Sequence, residues 1–73
     1  MDCFYMVTEC RIGYRKIYGV AAVDGEDGEK IILDAALDVS DDRETAEALA
    51  DRCNRDRIAI DRFRAVVAAY VDG

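Results

Sequence analysis

The chain has no histidine and no proline among its 73 residues, and only three cysteines. Without histidine no Ser–His or Cys–His nucleophile pair can form, and the common proton shuttle near neutral pH is missing. Zinc centres draw on clustered cysteine and histidine, whereas Cys3, Cys10 and Cys53 are scattered and lack a fourth ligand. An odd set of thiols is also a poor disulfide framework, so reduced cysteines in a cytosol are expected. Gly13, Gly19, Gly25 and Gly28 follow neither a phosphate-loop nor a dinucleotide spacing, and the acids beside them repel phosphate. Uncharged runs reach only seven residues, as in Ala65 to Val71, far below the roughly 20 that span a bilayer. Met1-Asp2-Cys3-Phe4 opens with an acid where a secretory leader carries a base. Together these absences lead us to expect a cytoplasmic, non-enzymatic chain with no metal, no cofactor and no membrane contact.

What is present argues for a folded domain. Hydrophobic residues make up 52% of the chain, well above the content of a disordered segment. Residues 1–73 leave room for a single domain with a thin core. The net charge is −6, unevenly placed. From Asp24 to Asp51 eleven acids face only Lys30 and Arg43, a local excess of nine negative charges. From Arg52 to Arg64 five arginines face Asp56 and Asp61, a local excess of three positive charges. Such polarity bears on partners and solubility and not on fold.

Phe4 to Glu9 is rich in aromatic and β-favouring residues and is predicted as a strand. Cys10 to Gly13 is predicted as a reversal, with Gly13 free to take positive φ. Tyr14 to Val23 is a second strand with apolar surface on both faces. Asp24 to Glu29, made of acids and glycines, is predicted as a loop. Lys30 to Leu37 is a third strand, with Ile31, Leu33, Ala35 and Leu37 on one face and Asp34 and Asp38 towards solvent.

The hydrophobic period then switches from two to 3.6. Ser40-Asp41-Asp42 offers N-caps, and Asp41 with Glu44 has capping-box spacing. Ala46, Leu49, Ala50 and Cys53 mark a buried helical stripe, which Asn54 to Arg57 should end. A second helix is expected from about Asp61, capped there, with Ile60, Phe63, Val66, Val67, Tyr70 and Val71 as its apolar face. Three strands and then two helices make an α+β fold, a three-stranded antiparallel meander with both helices packed on one face (βββαα).

Four features, Phe4-Tyr5-Met6-Val7, Tyr18-Gly19-Val20, Leu37-Asp38-Val39-Ser40-Asp41-Asp42 and Phe63-Arg64-Ala65-Val66-Val67, carry a family likeness. The chain resembles a family of short bacterial proteins, a domain of unknown function with this order of strand, Tyr-Gly-aliphatic motif and amphipathic helix. The resemblance covers nearly the whole chain and implies the fold and a bacterial or bacteriophage origin. It implies no activity. The chain departs from the family in an inter-helix loop without proline and in an alanine-rich last helix (Ala65, Ala68, Ala69).

Each chemical reading competes with a structural one. The acidic loop fails the calcium pattern, because Glu29 stands where glycine is needed and Ala35 where glutamate is needed. The arginines sit in a chain too acidic for a nucleic-acid-binding domain. The leading expectation is therefore a protein-interaction module that contacts a protein partner through surface aromatics Tyr5, Tyr14 and Tyr18, with Arg55, Arg57 and Arg62 as polar contacts. The alternative is a phage-type, anti-CRISPR-like inhibitor. In it Asp24, Glu26, Asp27, Glu29, Asp41, Asp42 and Glu44 would mimic nucleic acid on one acidic surface. A homodimer stands level with a monomer on size grounds, since a second copy adds burial to a thin core and a three-stranded sheet leaves two edges.

Overall fold

A computed structural model describes residues 3–26 and 29–72. The first half is an antiparallel meander of β1 (Phe4–Ile12), β2 (Arg15–Glu26) and β3 (Glu29–Ser40), with β2 in the middle of the sheet. Two helices follow, α1 (Arg43–Arg55) and α2 (Ile60–Asp72). The βββαα order expected from the change of hydrophobic period is the one found.

β1 and β2 pair without a break from Phe4↔Val23 to Ile12↔Arg15, joined by the two residues Gly13 and Tyr14. Gly13 takes φ of 62° at the first central position, as a type II′ hairpin turn requires. Tyr14 therefore belongs to the turn, and Cys10 to Ile12, expected in the reversal, continue the strand. The β2–β3 ladder runs on through Asp24↔Ile31, Gly25↔Lys30 and Glu26↔Glu29. Most of the expected acidic loop is thus strand, because cross-strand pairing outweighs the weak β-preference of glycine and acids. Asp27 and Gly28 lie outside the described residues. β3 also runs past Leu37, to Ser40.

The helices cover one face of the sheet. Tyr5, Val20 and Ala22 meet Leu49, Ala50 and Cys53 of α1 and Phe63 and Val67 of α2 in one buried cluster. Alternation along the strands makes this the face of odd-numbered β1 positions and even-numbered β2 positions. The stripe read from the sequence, Ala46, Leu49, Ala50 and Cys53, is the buried side of α1. On α2 the middle turns carry the contact: Phe63 and Val67 are buried and Val66 and Tyr70 pack beside them, whereas Ile60 and Val71 are exposed. Those two ends of the predicted apolar face lie beyond the cluster. Burial of side chains the size of Leu49 and Phe63 is worth about 1.5–3 kcal/mol each.

The helix ends differ from the predicted ones by small steps with clear causes. Asp42, not Asp41, caps α1, accepting from the Glu44 N–H at 3.3 Å and from the Thr45 hydroxyl at 2.9 Å. Ser40 in turn accepts from the Asp42 N–H at 3.0 Å, which sets the cap one residue later. Asn54 and Arg55 stay helical, and the chain leaves α1 only at Asp56-Arg57. Asp61 lies inside the first turn of α2, favourable to the helix dipole, instead of at its cap. The Tyr70 hydroxyl donates to the Thr45 carbonyl at 3.2 Å and ties the end of α2 to the start of α1.

Candidate functional site

The sheet face turned away from the helices is the least expected surface of the molecule. On β1 it presents Phe4, Met6, Thr8, Cys10 and Ile12, and on β2 their register partners Val23, Ala21, Gly19, Ile17 and Arg15. β3 continues it with Ala35, paired to Ala21, and with Leu37 on the same side by alternation. Ile32 and Lys30 are registered against Val23 and Gly25 on this face. None of these positions is acidic, in a chain with sixteen acids.

Its relief is a trough between two raised flanks. In the middle, Ala21 and Val23 keep only 1% of their surface. Around them Phe4 (40% exposed), Met6 (36%), Ile32 (66%) and Leu37 (55%) stand in solvent. Gly19 lies beneath the β3 main chain, and sterics demand glycine there. A Cβ there would collide with the Ala36 carbonyl oxygen and come within 2.6 Å of the Leu37 Cα, because β3 shifts register beside it.

The predicted partner residues are not brought together. Tyr5 is a core residue, 4% exposed, which corrects its place among the surface aromatics. Its ring stacks on Phe63 with centroids 5.1 Å apart, and its hydroxyl donates to the Ile58 carbonyl. Odd β1 positions face the helices, so the aromatic run at the N-terminus divides between core and solvent. Tyr18, an even position of β2, is half-buried on the helix side, registered against Glu9 and Ser40. Tyr14 is fully exposed at the β1–β2 turn. Arg55, Arg57 and Arg62 are exposed at the α1–α2 corner, which packs by Asn54 and Ile58 near Tyr5 at the far end of β1. Some seven residues of strand, about 23 Å, separate that corner from the hairpin carrying Tyr14.

The expected acidic surface is likewise divided. Asp24, Glu26 and Glu29 belong to one end of the β2–β3 hairpin, and Asp27 lies outside the described residues. Asp41, Asp42 and Glu44 stand at the other end of β3, which spans twelve residues, or about 35–40 Å when fully extended. Several acids also have internal partners. Asp42 caps α1, Glu47 pairs with Arg43 at 3.0 Å, and Asp56 lies 3.9 Å from Arg52. Asp34, expected to point to solvent, lies on the helix side and pairs with Arg64 of α2 at 2.7 Å. The shift of register between Ala22 and Val23 lets β3 turn Asp34 inward while Ile32 faces out.

A groove lies at the α1–α2 corner beside the start of β1, lined by Cys3, Phe4, Leu33, Cys53, Asn54, Arg57, Ile58, Ala59 and Ile60. Its chemistry is quiet. Burial pushes the Cys53 thiol up from its ordinary value, so it stays protonated and is a weak nucleophile. Burial, together with the neighbouring Cys3 thiol at 3.8 Å, likewise holds the Tyr5 phenol protonated. Among the described residues no group of three His, Cys, Asp or Glu converges on a metal position. No helix among them is long and apolar enough to cross a membrane.

The class defined by this geometry is a small α+β domain with helices on one sheet face and exposed apolar side chains on the other. No family model, curated protein or solved structure matches the chain.

Proposed function

We propose that the chain is a non-enzymatic protein-interaction module, regulatory in role, whose working surface is the helix-free sheet face. The supporting observation is the contrast between that face and the rest of the molecule. In a chain of net charge −6, the described strand positions registered on this face carry no acid, and Phe4, Met6, Ile32 and Leu37 stand exposed. Apolar patches of this kind mark association surfaces in soluble domains. Tyr14 is exposed at the β1–β2 turn, at the opposite end of the sheet from Phe4 and Ile32. The separation of Tyr14 from the arginine corner, and of the two acidic groups from each other, favours this face over the surfaces expected from composition.

Affinity capture from the lysate of its own cell, with the Met6→Glu and Leu37→Glu variants beside the unaltered chain, tests the reading. A partner retained at high salt and lost on either substitution supports it. Capture that survives both substitutions but collapses with salt, or when Asp41, Asp42 and Glu44 are neutralised, instead supports the nucleic-acid mimic.

A further inference from the structure

We infer that a second copy of this chain covers the helix-free face, the two sheets stacking face to face with helices outermost. The inference rests on the reading above for the position of the surface and adds the identity of its occupant.

Charge distribution singles out this face. Two molecules of net charge −6 repel, and contact through either acidic end or the outer side of α1 would set carboxylate against carboxylate. The helix-free face brings two copies together without that penalty. Its charged positions, Arg15 and Lys30, lie towards opposite ends of the strands, so the centre desolvates no ion.

Size and shape agree. Three strands about 4.8 Å apart, nine residues long at about 3.3 Å each, give a footprint of roughly 400 Å². That is about half of the roughly 800 Å² per partner of a standard interface, the size of a weak, micromolar contact. With the two sheets stacked, the exposed Phe4, Met6 and Ile32 side chains of one copy pack against those of the other.

Edge pairing, the other route to a dimer, is interrupted at one residue of each edge strand. On β1 the Asn54 carboxamide occupies both main-chain groups of Tyr5, at 2.7 and 2.8 Å. On β3 the Asp34 carboxylate takes the Ala35 N–H at 2.9 Å. A 73-residue chain with a thin core gains most from the face that adds the most apolar burial.

Cys10 lies on this face and is a free thiol, which makes it a native reporter. Sedimentation of the full chain from about 1 to 100 μM should show a dimer, a range that brackets micromolar association. Alkylation of Cys10, followed by mass spectrometry so that Cys3 and Cys53 are read separately, should slow at least about tenfold as the dimer fills. Met6→Glu or Leu37→Glu should weaken the dimer at least about 100-fold and restore Cys10 reactivity, whereas Glu44→Lys on α1 should leave both unchanged. The Cys10 measurement needs no substitution and stands even if a variant fails to fold. A monomer at every concentration with constant Cys10 reactivity overturns the inference, as does a dimer indifferent to both sheet-face substitutions. A monomer whose capture of another protein is still abolished by Met6→Glu overturns the second copy alone and leaves the proposed working surface in place.

Discussion

Asn54 pairs with Tyr5 as a neighbouring strand would. Its side-chain oxygen accepts from the Tyr5 N–H at 2.7 Å and its amide nitrogen donates to the Tyr5 carbonyl at 2.8 Å. One carboxamide at the end of α1 thereby closes the edge of β1 and fixes the helix layer to the sheet across 49 residues of chain. Edge strands that expose unpaired main-chain groups invite association, and a side chain that fills them both stabilises and blocks.

Asn54→Ala leaves two main-chain groups of a buried residue without partners. A loss of about 1–3 kcal/mol is expected, read as a lower urea midpoint at unchanged slope. Asn54→Asp retains the acceptor but puts a carboxylate oxygen against the Tyr5 carbonyl, so it should recover little of the loss. Full recovery by aspartate would show that the contact to the Tyr5 carbonyl contributes nothing.

Tyr5 sets a limit on alkaline stability. Burial raises its phenol above the ordinary value near 10, and burial raises the Cys53 thiol above its ordinary value near 9. Below about pH 8 both groups are almost fully protonated, folded or unfolded, and contribute little pH dependence. Above it the unfolded chain releases protons that the folded chain holds, so stability falls as pH rises, by up to about 1.4 kcal/mol per pH unit for each group. Tyr5→Phe should cost about 1–2 kcal/mol at neutral pH, since the Ile58 carbonyl loses its donor. It should also flatten the fall above pH 10. Chemical denaturation from pH 7 to 11 measures both, and an unchanged alkaline slope in Tyr5→Phe would place the titrating group elsewhere.

The order of elements was legible because the hydrophobic period changes once, at Ser40 to Asp42, and because Gly13 marks the first turn. The α1 stripe was legible for the same periodic reason. The faces of the sheet were not. Phe4, Tyr5 and Met6 are all apolar, and the partners that make Tyr5 the inward one, Asn54, Ile58 and Phe63, lie some fifty residues downstream. Apolar surface on both faces of β2 was visible, yet alternation alone did not say which face the helices take. Asp34 misled for a related reason, since a register shift and Arg64 of α2 decide its direction and neither is local. The candidate site was missed because its signal is a lack of acids at alternate positions of three strands, which emerges only once the register aligns them.

Gly19 tests whether that register is imposed by sterics. Replacing glycine by alanine in regular structure ordinarily adds about 0.4–1 kcal/mol where the backbone permits it. At Gly19 the new methyl meets the main chain of Ala36 and Leu37, which cannot rotate aside. Gly19→Ala should instead cost about 2–3 kcal/mol by displacing β3, the scale of overpacking. Gly13→Ala meets no atom within 4 Å and is strained only by its φ of 62°, so a smaller loss of about 1 kcal/mol is expected. Thermal unfolding of the pair should rank Gly19→Ala below Gly13→Ala, and the reverse order would mean that β3 moves freely.

Arg57 marks where α1 spends stability on a turn. The Ile58 N–H returns to the Cys53 carbonyl at 3.1 Å and the Arg57 N–H to the Asn54 carbonyl at 3.2 Å, the two bonds of a Schellman motif. The motif requires a left-handed residue at Arg57, whose φ is 50°, and nature usually places glycine there. With no proline to end the helix, this turn delivers Ile58 to the core and its carbonyl to Tyr5. Arg57→Gly removes the steric cost of the left-handed conformation while keeping both bonds, so it should stabilise the fold by about 0.5–1 kcal/mol. For a domain this small that is a rise in Tm of about 3–8 °C. Arg55→Gly makes the same chemical change two positions earlier, in right-handed helix, and should lower stability by about 0.5–1 kcal/mol. Opposite signs from one substitution at neighbouring exposed arginines isolate backbone conformation from charge, because each removes one positive charge from the same corner. Equal effects would mean that lost charge, and not the left-handed turn, governs stability there.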